Sequence, residues 1–495
     1  MHCTAAVRTF RLRPSPENGN CPGWLHQPKR TNVKTHRTRP HRSREVVLSM
    51  TAEIIDRYHV RGLNVLEYEF TVPLDYSQET SDTIKIFARR VVPYDEAEDP
   101  EANKRPYIVY LQGGPGFECD PPLSKSGRTK EFLDHGYQVL YLDQRGTGFS
   151  TPISWFTLKS KESDEAKAEY LSLFRADNIV RDAEEIRKIL TKDSADQRWS
   201  LVGQSFGGFC AVTYLSFYPT SLKDVLITGG VPPLTNNPDP VYRALYGKLI
   251  KRNKAYYAKF PNDLVKVRSI VAFLAKNNVT LPNGGNLSVA RFQALGIDFG
   301  RSGGLDAIHQ LVTKTHHDLQ QFGEITFNTK TRLEQAHGFD TNILYACVHE
   351  AIYCQGEASN WSAERLLADH ADVFRYDESN EQKPVYFTGE MIFKSMFDDF
   401  VELRPLKQVA ELLALKRNWP ALYDVDTLNS NQRVRVAALS YFNDPYVDVT
   451  LSEQTAAEIG NSRLWVTSEF LHNGIGVNPS RVLGELFNLL ENEVE

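Results

Sequence analysis

One stretch constrains the whole chain. Arg198-Trp199-Ser200-Leu201-Val202 runs apolar into Gly203-Gln204-Ser205-Phe206-Gly207, and a helix-like segment opens near Gly208 and passes through Cys210. Gly-x-Ser-x-Gly between a buried strand and a helix requires a sharp turn with serine at its apex. This nucleophile elbow lifts the hydroxyl above the sheet on a strained backbone. Side chains at positions 203 and 207 would collide with the neighbouring strand and helix, so glycine is demanded there. The five-residue pattern alone recurs by chance; the strand before it and the helix after it make it specific.

The flanks agree with that turn. Tyr58 to Pro73 and Thr83 to Val92 alternate apolar and polar residues, as antiparallel strands with one wet face do. Tyr107 to Leu111, Gln138 to Leu142 and Val225 to Thr228 are continuous apolar runs typical of buried parallel strands. Glycine-rich segments follow them: Gln112-Gly113-Gly114-Pro115-Gly116-Phe117-Glu118, Asp143-Gln144-Arg145-Gly146-Thr147-Gly148, and Gly229-Gly230. A helical face (Ile179, Ala183, Ile186, Leu190) lies between two of these strands. Strands alternating with helices predict an α/β fold with a doubly wound, mostly parallel central sheet flanked by helices. Pro232-Pro233 and the Asn/Pro run 236–240 break the rhythm, which returns only at Val434 to Phe442 and Arg463 to Thr467, before a last helix from Val482 to Leu490. Between the breaks the chain reads as helices, Val385-Tyr386-Phe387 being the only strand-like run. The expected organisation is therefore a core over 50–234 and 433–495 with a mainly helical cap domain, 235–432, inserted in it.

Residues 1–49 differ from the rest. They hold ten Lys or Arg against Glu17 and Glu45, so the whole-chain charge of −5 leaves about −13 on the remainder. That acidic body argues against a nucleic-acid partner. The segment has no apolar periodicity and is expected to be a disordered basic extension. It fits a mitochondrial transit peptide in part; the preferred reading is an incidental tail, with Met50 a second start. It lacks the apolar core of a secretion signal, and the chain has no apolar run of about 18 residues for a transmembrane helix. The six cysteines follow no metal-ligand or disulfide spacing, so a reduced, cytoplasmic setting with no metal and no cofactor is expected. Homo-oligomerisation is left open.

A serine nucleophile needs a base, and the base an orienting acid, on loops after the last strands. Asp444, immediately beyond the strand ending near Phe442, is preferred to Asp448 as the acid, and His472, heading a His-Asn-Gly turn, is the base. The oxyanion is expected between the backbone N–H of Phe206 and that of Gly114 in the early glycine loop. Arg145 reads as structural, since no acyl-transfer step needs it.

Taken together, Gly113-Gly114-Pro115-Gly116, Asp143-Gln144-Arg145-Gly146-Thr147-Gly148 and Gly203-Gln204-Ser205-Phe206-Gly207-Gly208 resemble the prolyl aminopeptidase (proline iminopeptidase) family of α/β-hydrolases. Its longer-chain branch is the better match, through His349-Glu350-Ala351-Ile352-Tyr353-Cys354-Gln355-Gly356, Thr388-Gly389-Glu390 and Tyr441-Phe442-Asn443-Asp444-Pro445-Tyr446-Val447. The similarity covers about Thr51 to the C-terminus. Gln112 stands where many members have His. The resemblance implies the α/β-hydrolase fold and release of N-terminal proline from peptides by Ser205, Asp444 and His472. It also implies acidic cap residues for the substrate ammonium, for which a desolvated cation needs a counter-charge. Glu350 and Glu390, each in apolar sequence, are the candidates, with Glu118 and Glu357 in reserve; the competing reading for each is a structural ion pair. Phe117, Tyr353 and Tyr446 are candidates to wall a proline pocket, or else ordinary core. The alternatives are a broader serine hydrolase, either a tripeptidyl-type aminopeptidase or an esterase, and a non-catalytic binding protein.

Overall fold

The computed structural model describes residues 51–96 and 104–492. The reading of residues 1–49 as an extension, and of Met50 as a start, falls outside the described residues. Among the described residues nine strands make one sheet: β1 (Thr51–Val60), β2 (Leu63–Pro73), β3 (Thr83–Pro93), β4 (Tyr107–Leu111), β5 (Gln138–Leu142), β6 (Trp199–Gln204), β7 (Leu222–Thr228), β8 (Arg435–Tyr441) and β9 (Ser462–Thr467). Their order is β1-β2-β3-β5-β4-β6-β7-β8-β9. β1, β2 and β3 pair antiparallel, as do β3 and β5. From β5 through β4 to β9 every pairing is parallel.

The central strands are apolar on both faces because helices cover both. The helix Ala176–Leu190 turns Ile179, Ala183 and Ile186 into one apolar layer, and the terminal helix Pro479–Glu491 packs Val482, Leu483 and Leu486 into the layer on the opposite face. The alternating stretch from Tyr58 to Pro73 is two strands rather than one. Arg61 and Gly62, both at positive φ (37° and 85°), turn β1 into β2. β1 is mostly exposed along its length, so its sequence carries no apolar face to read.

Between β7 and β8 the described chain is helical, beginning with the long helix Asp239–Lys259 and ending with Val425–Asn429. Val385-Tyr386-Phe387 is irregular rather than a strand: Val385 and Phe387 are buried in the insertion's own core with Tyr256, Phe292 and Phe299. A second apolar cluster runs without a break from the sheet into the insertion, joining Phe206 and Phe209 to Tyr242, Leu344 and Tyr353. The described residues accordingly pack as one compact unit. Arg175 reinforces the junction by donating to the carbonyls of Ala351 (2.8 Å), Cys354 (2.7 Å) and Pro420 (3.0 Å).

Arg145 has the structural part expected of it. Fully buried, it grips both oxygens of Asp182 (2.7 and 2.6 Å) and donates to the carbonyls of Leu74, Leu173 and Pro73. No described helix is long and apolar enough to cross a membrane. The four described cysteines, Cys119, Cys210, Cys347 and Cys354, are free, buried thiols.

Candidate active site

The parallel strands all point their carboxyl ends to one edge of the sheet, where ligands bind in open α/β folds. Ser205 follows β6 directly and caps the helix Phe206–Phe217 with φ 54° and ψ −125°. That left-handed conformation is costly for a non-glycine residue and persists only where the surroundings impose it. Here the backbone around it imposes it. A Cβ on Gly207 would lie 1.9 Å from the Leu111 carbonyl oxygen, and one on Gly203 would lie 2.4 Å from that of Gly207. The turn can close only with glycine at both places.

Asp444 lies just past β8 and His472 just past β9. His472 Nε2 is 2.8 Å from Ser205 Oγ, and His472 Nδ1 is 2.6 Å from Asp444 Oδ2. The other Asp444 oxygen accepts the backbone N–H groups of Tyr446 (2.8 Å) and Val447 (3.3 Å), which fixes the fully buried carboxylate. Asp448, the other acid of that loop, instead accepts from the N–H groups of Thr450 (2.9 Å) and Leu451 (3.2 Å) and caps the helix Val449–Glu458. Burial disfavours a charged His472, but the Asp444 carboxylate, by charge and hydrogen bond, and the Glu390 carboxylate outweigh it and hold the imidazole above its ordinary pKa.

These groups open into a cavity of about 310 Å³ lined by the glycine loop (Gln112, Gly113, Gly114, Phe117), Ser205, His472, Glu390 and Tyr446. Gly114 sits at φ 130° on the loop after β4, and a Cβ on Gly113 would lie 2.9 Å from that of Ser205, so the loop backbone crowds the serine. Phe206 opens the elbow helix, Phe206–Phe217, where backbone N–H groups have no intrahelical partner. Glu390 accepts a hydrogen bond from the Tyr345 hydroxyl at 2.6 Å. Burial pushes its pKa up to about 7, against the pull of His472 and Tyr345, with Asp444 adding to the rise.

Two sequence candidates lie elsewhere. The buried Glu350 carboxylate accepts the N–H groups of Ser362 (3.1 Å) and Ala363 (2.9 Å), turning to the first turn of the helix Ser362–Leu367 and away from the cavity. Tyr353 is core, edge-on to Phe209 with ring centroids 5.6 Å apart. The reserves are also outside the lining: Glu357 is an exposed partner of Asn237 (2.6 Å), and Glu118 packs its Cβ against the Gly148 turn. Phe117 and Tyr446 do line the cavity, Phe117 edge-on to Tyr345 at 5.6 Å and Tyr446 edge-on to His472 at 4.8 Å.

The sequence reading missed Tyr345 and the insertion segment Ile297–Ser302. Gly300 accepts the His472 N–H at 3.0 Å, Asn473 Oδ1 accepts the Ser302 N–H at 3.0 Å, and the Tyr446 hydroxyl donates to the Ile297 carbonyl. The histidine loop is thus held from the insertion side. Tyr345 stands five residues before Glu350, within reach of the same motif; the Ile297–Ser302 segment has no chemical pattern that would have flagged it.

A mostly parallel sheet with a serine raised on the turn after β6 defines an α/β-hydrolase, and a family model described as alpha/beta hydrolase fold matches residues 106–297. A proline iminopeptidase of Aeromonas sobria is 41% identical over 433 residues, 87% of this chain and 98% of its own. One from Aspergillus aculeatus is 40% identical over 450 residues, 90% of this chain and 98% of its own. The chain belongs to the proline iminopeptidase family. A looser likeness, with TM-score 0.38 and 13% identity, is to the crystal structure of a Mycobacterium smegmatis proline iminopeptidase, over 85% of this chain and 97% of that one.

Proposed function

We propose that the chain is a serine exopeptidase that releases N-terminal proline from peptides, with Ser205 as nucleophile, His472 as general base and Asp444 as its orienting acid. The observation that carries this reading is the unbroken relay from Ser205 Oγ through His472 to Asp444, at 2.8 and 2.6 Å. His472 takes the serine proton as Oγ attacks the prolyl carbonyl, and Asp444 stabilises the imidazolium. The backbone N–H groups of Phe206 and Gly114 receive the oxyanion. The imidazolium then protonates the departing amine, and a water activated by the same histidine hydrolyses the prolyl ester.

Glu390 takes the proline ammonium. Burial lifts the Glu390 pKa to about 7, and an entering cation favours the ionised form, so the substrate ammonium completes the charge pairing. Phe117, Tyr345 and Tyr446 wall the pyrrolidine ring. The helical insertion, 235–432, acts as the cap that supplies this pocket. A plain esterase has no ammonium to neutralise, and the Glu390 carboxylate in the cavity favours the aminopeptidase over it. The free thiols fit a cytoplasmic location.

The test is labelling with a fluorophosphonate followed by peptide mapping. A stoichiometric adduct on Ser205, absent in Ser205→Ala and much slower in Asp444→Asn, supports the assignment. An adduct on another serine, or Ser205 inert in the folded protein, refutes it.

A further inference from the structure

The mechanism leaves one charged pair of the cavity unused. Asp298 and Arg301 line it together with Ser205, His472 and Glu390. Arg301 Nη2 donates to Asp298 Oδ2 at 2.8 Å, and the arginine side chain is 54% exposed against 14% for the aspartate. Arg301 falls between the two contacts that dock its segment on the histidine loop, Gly300 on His472 and Ser302 on Asn473.

Chemistry decides which half of a substrate lies there. The imidazolium must hand its proton to the leaving amine, so the leaving peptide lies against His472. Asp298 and Arg301 share the cavity with that imidazole; with Glu390 given to the prolyl half, they are the charged groups left for the leaving peptide. A guanidinium with one nitrogen engaged by Asp298 keeps further donors in a planar fork, the geometry that suits a carboxylate. The one anion that every unmodified leaving peptide carries is its C-terminal carboxylate. A cavity of about 310 Å³ is at the small end for a ligand site and brings that carboxylate close only when the peptide is short.

We propose that Arg301 binds the C-terminal carboxylate of short prolyl peptides and makes the enzyme selective for di- and tripeptides over amidated or long chains. The proposal rests on the aminopeptidase reading above. The experiment compares kcat/KM on Pro-Ala, Pro-Ala amide, Pro-Ala-Ala, a prolyl decapeptide and proline anilide, for the unaltered enzyme, Arg301→Gln and Arg301→Lys. The Asp298→Asn/Arg301→Gln pair is included so that no carboxylate is left unpaired. The free acid should be favoured over its amide by roughly tenfold, the discrimination of one charge-assisted hydrogen bond. Both glutamine variants should lose that preference, Arg301→Lys should keep part of it, and proline anilide, which has no carboxylate, should be cleaved at close to the unaltered rate by all. Equal cleavage of acid and amide by the unaltered enzyme overturns the proposal. So does a loss in the glutamine variants that falls equally on anilide and peptides, the mark of a structural ion pair. Failure of the unaltered enzyme on proline anilide would instead defeat the aminopeptidase reading underneath.

Discussion

Replacing Glu390 by glutamine keeps shape and removes one charge from the cavity. Removing one partner of a buried charge pair costs about 3–5 kcal/mol, and the lower end suits a cavity open to solvent. At 1.36 kcal/mol per decade that is a loss of about 100-fold in kcat/KM for proline anilide at pH 8. A simple acyl ester, which has no ammonium, should be hydrolysed nearly as well as before. The pH profile carries a second consequence. Glu390 is among the groups that hold His472 above its ordinary pKa. Without it the histidine loses its proton at lower pH, so the acid limb of kcat/KM on the ester moves downward. Stopped assays on both substrates from pH 5 to 9 read both effects. Equal losses on anilide and ester, or an acid limb moving upward, would refute the reasoning.

Four further outcomes follow from the geometry. The Glu390 pKa is raised from 4.5 to about 7; a carboxylate raised on folding destabilises once ionised, so the cost is absent below pH 4.5 and full above about pH 7. Glu390→Gln should therefore raise Tm at pH 8.5 and not at pH 4, the gain being at most about 3 kcal/mol before solvent screening. Glu350→Ala removes the acceptor of two helix N–H groups and should cost about 1–2 kcal/mol in denaturant unfolding, with kcat/KM little changed. Gly300→Ala places a methyl 2.1 Å from the Tyr446 ring, which presses on His472, so kcat on ester and anilide should fall together. Arg145→Ala strands the buried Asp182 carboxylate and should cost about 3–5 kcal/mol of stability.

The part of the site carried by strand ends was legible in sequence, because strand, turn and loop follow one another along the chain. The glycines at 203 and 207 announce a turn whose tolerance is set by local backbone, and Asp444 and His472 stand within a few residues of their strands. The insertion was not legible in the same way. Glu350 and Glu390 both sit in apolar sequence, yet Glu350 meets a helix end and Glu390 the cavity. That choice is made by packing between segments far apart in the chain, which no local period encodes. Of the two readings open for Tyr353 the structure takes the core one, for the same reason: an aromatic packs wherever the core lies, and here that is against Phe209. β1 was missed because an exposed edge strand buries no face. Asp298 and Arg301 reach the cavity only because Gly300 lets the chain press flat against Tyr446.

The most direct measurement of the central claim is kcat/KM on proline anilide beside its N-acetyl derivative, for the chain starting at Met50 and for Ser205→Ala. The account predicts efficient cleavage of the free amine, a loss of at least about 100-fold when the nitrogen is acylated, and no turnover by the variant above the level that binding and the oxyanion donors sustain alone. Equal cleavage of both anilides, or a Ser205→Ala protein as active as its parent, would contradict it.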